Sequence, residues 1–446
     1  MDKNQLSRRN FLGKSALIGA AGVIGMNALS SCSKNTKEVD YEFPPLLDQA
    51  PDGKALRAGL VGCGNRGTGA ALNFLAAGHD LHLVALADVF EDKVWDSRDK
   101  LLKQRVEVPE NNCFWGFDAY KKLLEVDLDI VILATPPHFR PEHFDAAIQA
   151  KKHVFLEKPV CVDPVGARQI IATAKKAENL GLTVITGTQR RHQRDYLETY
   201  KQVASGAIGD LKSAKAYWLQ SHVWFRTREE GWSDMEYMLR NWNNFCWLSG
   251  DHILDTHVHN IDIINWFMGK NPVEAVGFGG RAHRLTGDQY DFFSVDFDFG
   301  DGIFSHSFSR QMDGCANQLG ELIMGTEGYT NCKNTIYNFD GSVKWTYDYP
   351  KDENGRSTGV VKVSPYIQEH IHLVTAIRTN KPVVEAERTA ISTLTAIMGR
   401  TSAYTGQKVT WEEMMTSTTK LGPTTYEMGP VDMEFPVPVP GRAHKA

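Results

Sequence analysis

From residue 56 to 186, short apolar runs alternate with amphipathic stretches of helical period. The alternation predicts strands at 56–61, 81–87, 130–134, 154–156 and 183–186, with helices starting at Thr68, Glu91, Pro141 and Asp163. Strands that alternate with helices imply a doubly wound parallel sheet covered on both faces, a Rossmann-type α/β domain. After about Gln189 the period shortens to two, and residues 213–220, 274–283, 291–299 and 303–311 read as strands of a second, α+β domain. That domain is expected to rest on a predominantly antiparallel, open-faced sheet, with helical segments at 367–378 and 387–404 packing back against the core. No fixed internal period is visible.

Before the first strand the pattern is different. Ser7-Arg8-Arg9-Asn10-Phe11-Leu12 carries twin arginines, an apolar run follows from Ala16 to Leu29, and Leu29-Ser30-Ser31-Cys32 resembles a lipobox. The run is too short to span a bilayer. Residues 1–32 therefore read as a twin-arginine lipoprotein signal, with lipid attached at Cys32 and the protein held at the periplasmic face or cell envelope. Residues 33–54 read as a tether, 55–188 as the Rossmann domain, 189–416 as the second domain, and 417–446 as an irregular, Pro-rich tail. The 446 residues suit such a two-domain chain, and 42% hydrophobic with 23% charged residues is a globular composition. A net charge of -5 without long runs of one sign excludes the electrostatic footprint of a nucleic-acid binder. The six cysteines after Cys32 show no metal-knuckle or disulfide spacing and read as mostly buried thiols.

Directly after the first predicted strand stands Val61-Gly62-Cys63-Gly64-Asn65-Arg66-Gly67. Gly62 permits a tight turn, Gly64 lets backbone approach a pyrophosphate, and Gly67 lets helix pack closely on strand. The phosphates would then meet a helix N-terminus. Asp88 follows at the end of the second strand, where a carboxylate accepts ribose hydroxyls and repels a 2'-phosphate, so the expected cofactor is NAD.

Ala134-Thr135-Pro136-Pro137-His138, Glu157-Lys158-Pro159 and a later segment from Gly250 to Trp266 complete a set of four signatures in order. Together they resemble the Gfo/Idh/MocA oxidoreductase family, which includes glucose–fructose oxidoreductase and inositol dehydrogenase, over roughly residues 56–405. The resemblance implies that Asn65, Arg66, Thr135, Pro136, His138, Glu157 and Lys158 join the glycines and Asp88 around the cofactor. It implies, too, that Lys158, Asp255 and His259 surround the reacting hydroxyl. His257 stands where the family often has glycine.

Those residue types suit the chemistry, because oxidising a hydroxyl with NAD requires that its proton leave as the carbonyl forms. His259 is expected as general acid/base, Lys158 as alkoxide stabiliser or relay and Asp255 as orienter, although lysine and histidine could exchange roles. On one continuous helix Asp255, His259, Asp262 and Trp266 would share a face, with Ile261, Ile264 and Met268 on the packing side. A metal held by His252, His257, His259 and Asp255 is disfavoured, because helical His257 and His259 point apart; no metal is expected.

Six tryptophans between Trp218 and Trp266, interleaved with Arg226, Arg228 and Arg240, suit sugar faces and hydroxyls. Trp224, and Arg191 with His192 after the last strand of the first domain, are candidate substrate contacts. The leading expectation is an NAD-dependent oxidoreductase that transfers a hydride between a hydroxyl of a sugar or glycoside, at C3 or another carbon, and tightly bound NAD. The alternatives are a redox-neutral glycoside hydrolase similar to the NAD-dependent alpha-N-acetylgalactosaminidases, which usually lack the lysine of Glu-Lys-Pro, and a non-catalytic sugar-binding lipoprotein. The expected partners are a carbohydrate, the membrane through the anchor at Cys32, and further copies of the chain through the second-domain sheet; nucleic acid is not one.

Overall fold

A computed structural model describes residues 45–441. The twin-arginine segment and Cys32 lie outside the described residues. No described helix is long and apolar enough to cross a membrane.

The first domain carries β1 (Leu56–Val61), β2 (Leu81–Asp88), β3 (Cys113–Trp115), β4 (Ile130–Leu133), β5 (His153–Leu156) and β6 (Val184–Thr186). They pair in the order β3-β2-β1-β4-β5-β6, parallel throughout. Strands covered on both faces are apolar along their whole length, and all four residues of β4 are buried. The three-residue β3 is too short to carry a period and escapes the sequence pattern. Chain order reverses between β1 and β4, which places a ligand crevice beyond their carboxyl ends.

The second sheet contains β7 (Leu211–Gln220), β8 (Glu274–Gly280), β9 (Phe292–Asp298), β10 (Phe304–Gln311), β11 (Gln318–Gly325), β12 (Tyr329–Thr330), β13 (Thr335–Tyr337), β14 (Val343–Thr346) and β15 (Val409–Thr410). Their order is β14-β13-β12-β11-β7-β10-β9-β8-β15. Only β7 and β10 run parallel; the remaining neighbours are antiparallel.

One face of this sheet meets the buried helices Val258–Met268 and Ala386–Thr405. β9 turns Phe293, Val295 and Phe297 into that interface. β10 does the opposite, burying Ser305, Ser307, Ser309 and Gln311 and leaving Phe304 outward. The other face is open, with Val276, Phe278, Phe304 and Met324 exposed. Helix Pro365–Arg378 leaves this domain and packs on helix Asn65–Leu75 and β6 of the first. Residues 417–441 form no helix or strand.

Candidate active site

The helix after β1 begins at Asn65, three residues before the expected Thr68, because Gly64 is its N-cap and the loop is shorter than the polar pattern suggested. Gly62 adopts φ 99°, and a Cβ there would lie 2.6 Å from the Thr135 nitrogen. A Cβ on Gly67 would lie 1.8 Å from the Gly62 oxygen, so helix and loop touch backbone to backbone. At Gly64 the Cβ position faces open space. That opening, beside free N–H groups at the helix N-terminus, is a cradle of the kind a pyrophosphate fills.

Asp88 shapes the cradle from the side. One carboxylate oxygen accepts the Cys63 N–H at 2.7 Å and the other the Phe90 N–H at 3.0 Å. Both retain lone pairs for ribose hydroxyls, so these residues fit a dinucleotide. Burial pushes the Asp88 carboxyl up, against the two backbone donors. Asn65 accepts from Lys100 at 3.2 Å.

Beyond β4 and β5 the backbone is tied by Arg140. Its guanidinium donates to the carbonyls of Thr135 (2.8 Å), Glu157 (3.0 Å) and Pro159, holding both loop ends together. The Thr135 hydroxyl meets His143 at 3.2 Å, and Pro136 leads into a short turn. Glu157, which the resemblance placed against the cofactor, is buried and pairs with Arg66; Arg66 also binds Glu369 at 3.0 Å. His138 is covered by the tail, with its Nε2 2.7 Å from the Tyr426 hydroxyl. Burial lowers its pKa to about 4.

Lys158 emerges after β5, and its Nζ donates to the backbone carbonyl of Asp255 at 2.6 Å. The second domain thus reaches the first through main chain. Helix His252–Asp255 ends at Thr256, and a new helix starts at Val258. The single continuous face expected for Asp255, His259, Asp262 and Trp266 is therefore not formed. Nor is there a distinct packing side, since every residue from Val258 to Phe267 is buried.

The break separates three histidines by what they touch. His252 bridges Asp251 (3.0 Å) and Ser309 (3.1 Å), while His257 meets Ser307 at 2.7 Å. His259 stacks on Trp218, centroids 5.9 Å apart, and its imidazole takes no hydrogen bond from the described residues. Burial first, and then the charges of Lys158, Arg190 and Arg66, push its pKa well below the ordinary histidine value. Burial likewise lowers the Lys158 pKa, against the attraction of Asp255 and Glu157. Both shifts favour the neutral form of each group.

Arg191 and His192, expected as substrate contacts, point elsewhere. Arg191 grips Asp262 through two bonds of 2.7 and 2.8 Å, both side chains buried. His192 faces His372 at 2.6 Å and Glu385 at 3.4 Å. Among the tryptophans, Trp247 and Trp266 are core, whereas Trp224 is 40% exposed beside Trp242.

Residues 56–186 match the family model "Oxidoreductase family, NAD-binding Rossmann fold", and residues 196–330 match "GFO/IDH/MocA C-terminal domain". Together they span more than half of the chain. The chain belongs to the Gfo/Idh/MocA oxidoreductase family. Similar curated proteins include myo-inositol 2-dehydrogenase of Thermotoga maritima, 26% identical over 225 residues, or 50% of this chain and 58% of that protein. D-glucoside 3-dehydrogenase of Escherichia coli is 26% identical over 230 residues, 52% of this chain and 59% of that one. A glycosyl hydrolase family 109 protein of Shewanella pealeana is 25% identical over 229 residues, 49% and 47% of the two chains. The matches thus span less than two thirds of these relatives. Scyllo-inositol dehydrogenase of Lactobacillus casei, solved with NAD(H) and scyllo-inositol, shares the fold at 20% identity and TM-score 0.59, over 80% of this chain and 99% of that one.

Within this Gfo/Idh/MocA chain the sequence pattern gives no sign of Arg190, the neighbour of Arg191. Arg190 pairs with Glu321 of β11 and lies 5.5 Å from the Trp218 ring, which in turn backs His259. Glu321 also receives Asn260 (2.6 Å) and Tyr196 (3.1 Å). No local motif announces this hub, because its members lie on four separate elements.

Proposed function

We propose that this chain oxidises or reduces a hydroxyl-bearing carbon of a sugar or glycoside with NAD, with His259 as acid/base and Lys158 as the donor that steadies the developing alkoxide. The observation that carries the reading is the convergence at the helix break: the His259 imidazole and the Asp255 carboxylate take no hydrogen bond from described residues, and Lys158 stands beside both. When bound, NAD supplies the hydride acceptor. Residues 61–67 and Asp88 would hold it, and the chain's own groups manage the proton. His259 takes the hydroxyl proton; the Lys158 N–H faces the oxygen as charge grows on it. Trp218 keeps the imidazole plane in place.

Inositol and glucoside dehydrogenases among the relatives support a polyol or sugar substrate. The test is a panel of sugars, inositols and glycosides, with NADH absorbance and products followed together. A keto-sugar with NADH supports the reading, and absence of both with every compound overturns it. Released sugar without net NADH would instead favour the redox-neutral hydrolase, a reading kept by the family 109 relative.

Export through Arg8-Arg9 and lipidation at Cys32 belong to the same proposal. Cys32→Ala should move the protein from the membrane fraction to the soluble one. A second copy seated on the open face of the nine-stranded sheet would cover Phe278 and Phe304, and light scattering would report twice the chain mass.

A further inference from the structure

Residues 234–249 and 417–441 meet over the carboxyl edge of the Rossmann sheet and build a hydrophobic cluster of their own. Its members come from distant places: Phe90 follows Asp88 and β2, Phe139 follows β4, Met238 and Trp247 belong to the second domain, and Tyr426 and Phe435 to the tail. Each side is fastened. The Arg240 guanidinium stands 3.9 Å over the Phe90 ring and binds both Asp92 oxygens, at 2.9 and 3.1 Å. The Tyr426 hydroxyl reaches His138, and its ring lies 5.6 Å from Phe139.

The tail is pinned along its length. Leu421 N–H donates to Asp163 at 2.8 Å, Gly429 O accepts from Met235 at 3.1 Å, Pro438 O accepts from the Tyr290 hydroxyl at 3.0 Å, and Gly441 N–H donates to Thr405 at 3.1 Å. The two loops gripped, 88–92 and 134–139, flank the glycine cradle on either side of the crevice between β1 and β4. Four fifths of this chain match nearly all of a solved inositol dehydrogenase. The C-terminal family model spans residues 196–330, which include 234–249, and ends well before the tail.

We infer that residues 234–249 and the tail form a clasp that keeps the dinucleotide in its crevice from one turnover to the next. The inference rests on the NAD reading above and adds retention to it. Opening the clasp exposes packed aromatic rings and breaks the Arg240–Asp92 pair, so release waits on a costly local opening rather than on the intrinsic affinity of the crevice.

The test loads the full chain with NAD, removes free NAD by gel filtration, and follows displacement of radiolabelled NAD by unlabelled NAD. Native protein should emerge with close to one NAD per chain and exchange slowly. Tyr426→Ala and Arg240→Gln, which loosen the clasp from opposite sides, should each exchange at least tenfold faster with unchanged circular dichroism. Exchange equally fast in native and variant chains would overturn the clasp while leaving NAD binding intact. Failure of native protein to take up NAD at all would overturn the cofactor reading with it. If Tyr426→Ala unfolds, Arg240→Gln, at a half-exposed pair, decides alone.

Discussion

His257 and His259 lie two residues apart, both buried, on opposite sides of the site. His257 faces the inward serines of β10 and hydrogen-bonds Ser307; His259 faces Lys158 and Arg190, stacked on Trp218. The first belongs to a polar core that fixes how the second domain's helices sit on their sheet. The second is held by packing alone, with its nitrogens left for chemistry. The difference teaches that a missing partner alone does not mark a site, since His370 leaves both ring nitrogens unpartnered in the core; what singles out His259 is Lys158 beside it.

Exchanging their fates is the strongest test. His259→Ala should lower turnover by about 10²–10⁴-fold without moving the melting temperature. His257→Ala should leave turnover per folded molecule within about tenfold, while costing about 1–3 kcal/mol of stability for the serine left unsatisfied. The reverse pattern would mean that the two sides have been assigned the wrong way round.

Arg191→Met carries the comparison to the turn before the second domain. Its Asp262 partner would remain buried and charged, so denaturant unfolding should show a loss of about 3–5 kcal/mol. A loss under about 1 kcal/mol would instead return Arg191 to the role of a ligand contact.

A subtler effect concerns pH. Burial and the Lys158 charge both depress the His259 pKa, so the neutral base persists to lower pH than for an ordinary histidine. The acid limb of substrate oxidation is therefore expected below the usual histidine range. Lys158→Met removes the second cause and should move that limb to higher pH while lowering the rate; an unmoved limb would separate the two groups. The smallest effect is expected at Trp224, where alanine should raise KM for a glycoside by less than about tenfold, about 1 kcal/mol, and leave kcat unchanged.

The Rossmann half was legible in the sequence because its rules are largely local. Gly67 is required by backbone approach within one loop and Gly62 by its positive φ, and β1, β2 and β4 announce themselves by short, mostly apolar runs. The proposed catalytic corner was legible only as residue types. Arg191 and Asp262, 71 positions apart, form a pair that no spacing reveals, and the same holds for Arg66, Glu157 and Glu369. The alternation in β10 gave the strand correctly but not its inside: Ser307 and Ser309 point inward because two histidines wait for them, and Phe304 faces out on the open sheet. Helical periodicity overran the break at Thr256 because nothing in the side-chain pattern marks it.

The turn Gln189–His192 has a mechanical meaning. Four successive side chains reach four different places: Gln189 to Tyr366, Arg190 to Glu321, Arg191 to Asp262 and His192 to His372. A joint fastened in this way does not swing. Turning it against the second domain, which holds Glu321 and Asp262, would break both buried ion pairs, and at about 3 kcal/mol for even one, roughly one molecule in a hundred or fewer would have it released at any instant. At this turn the two domains behave as one rigid frame.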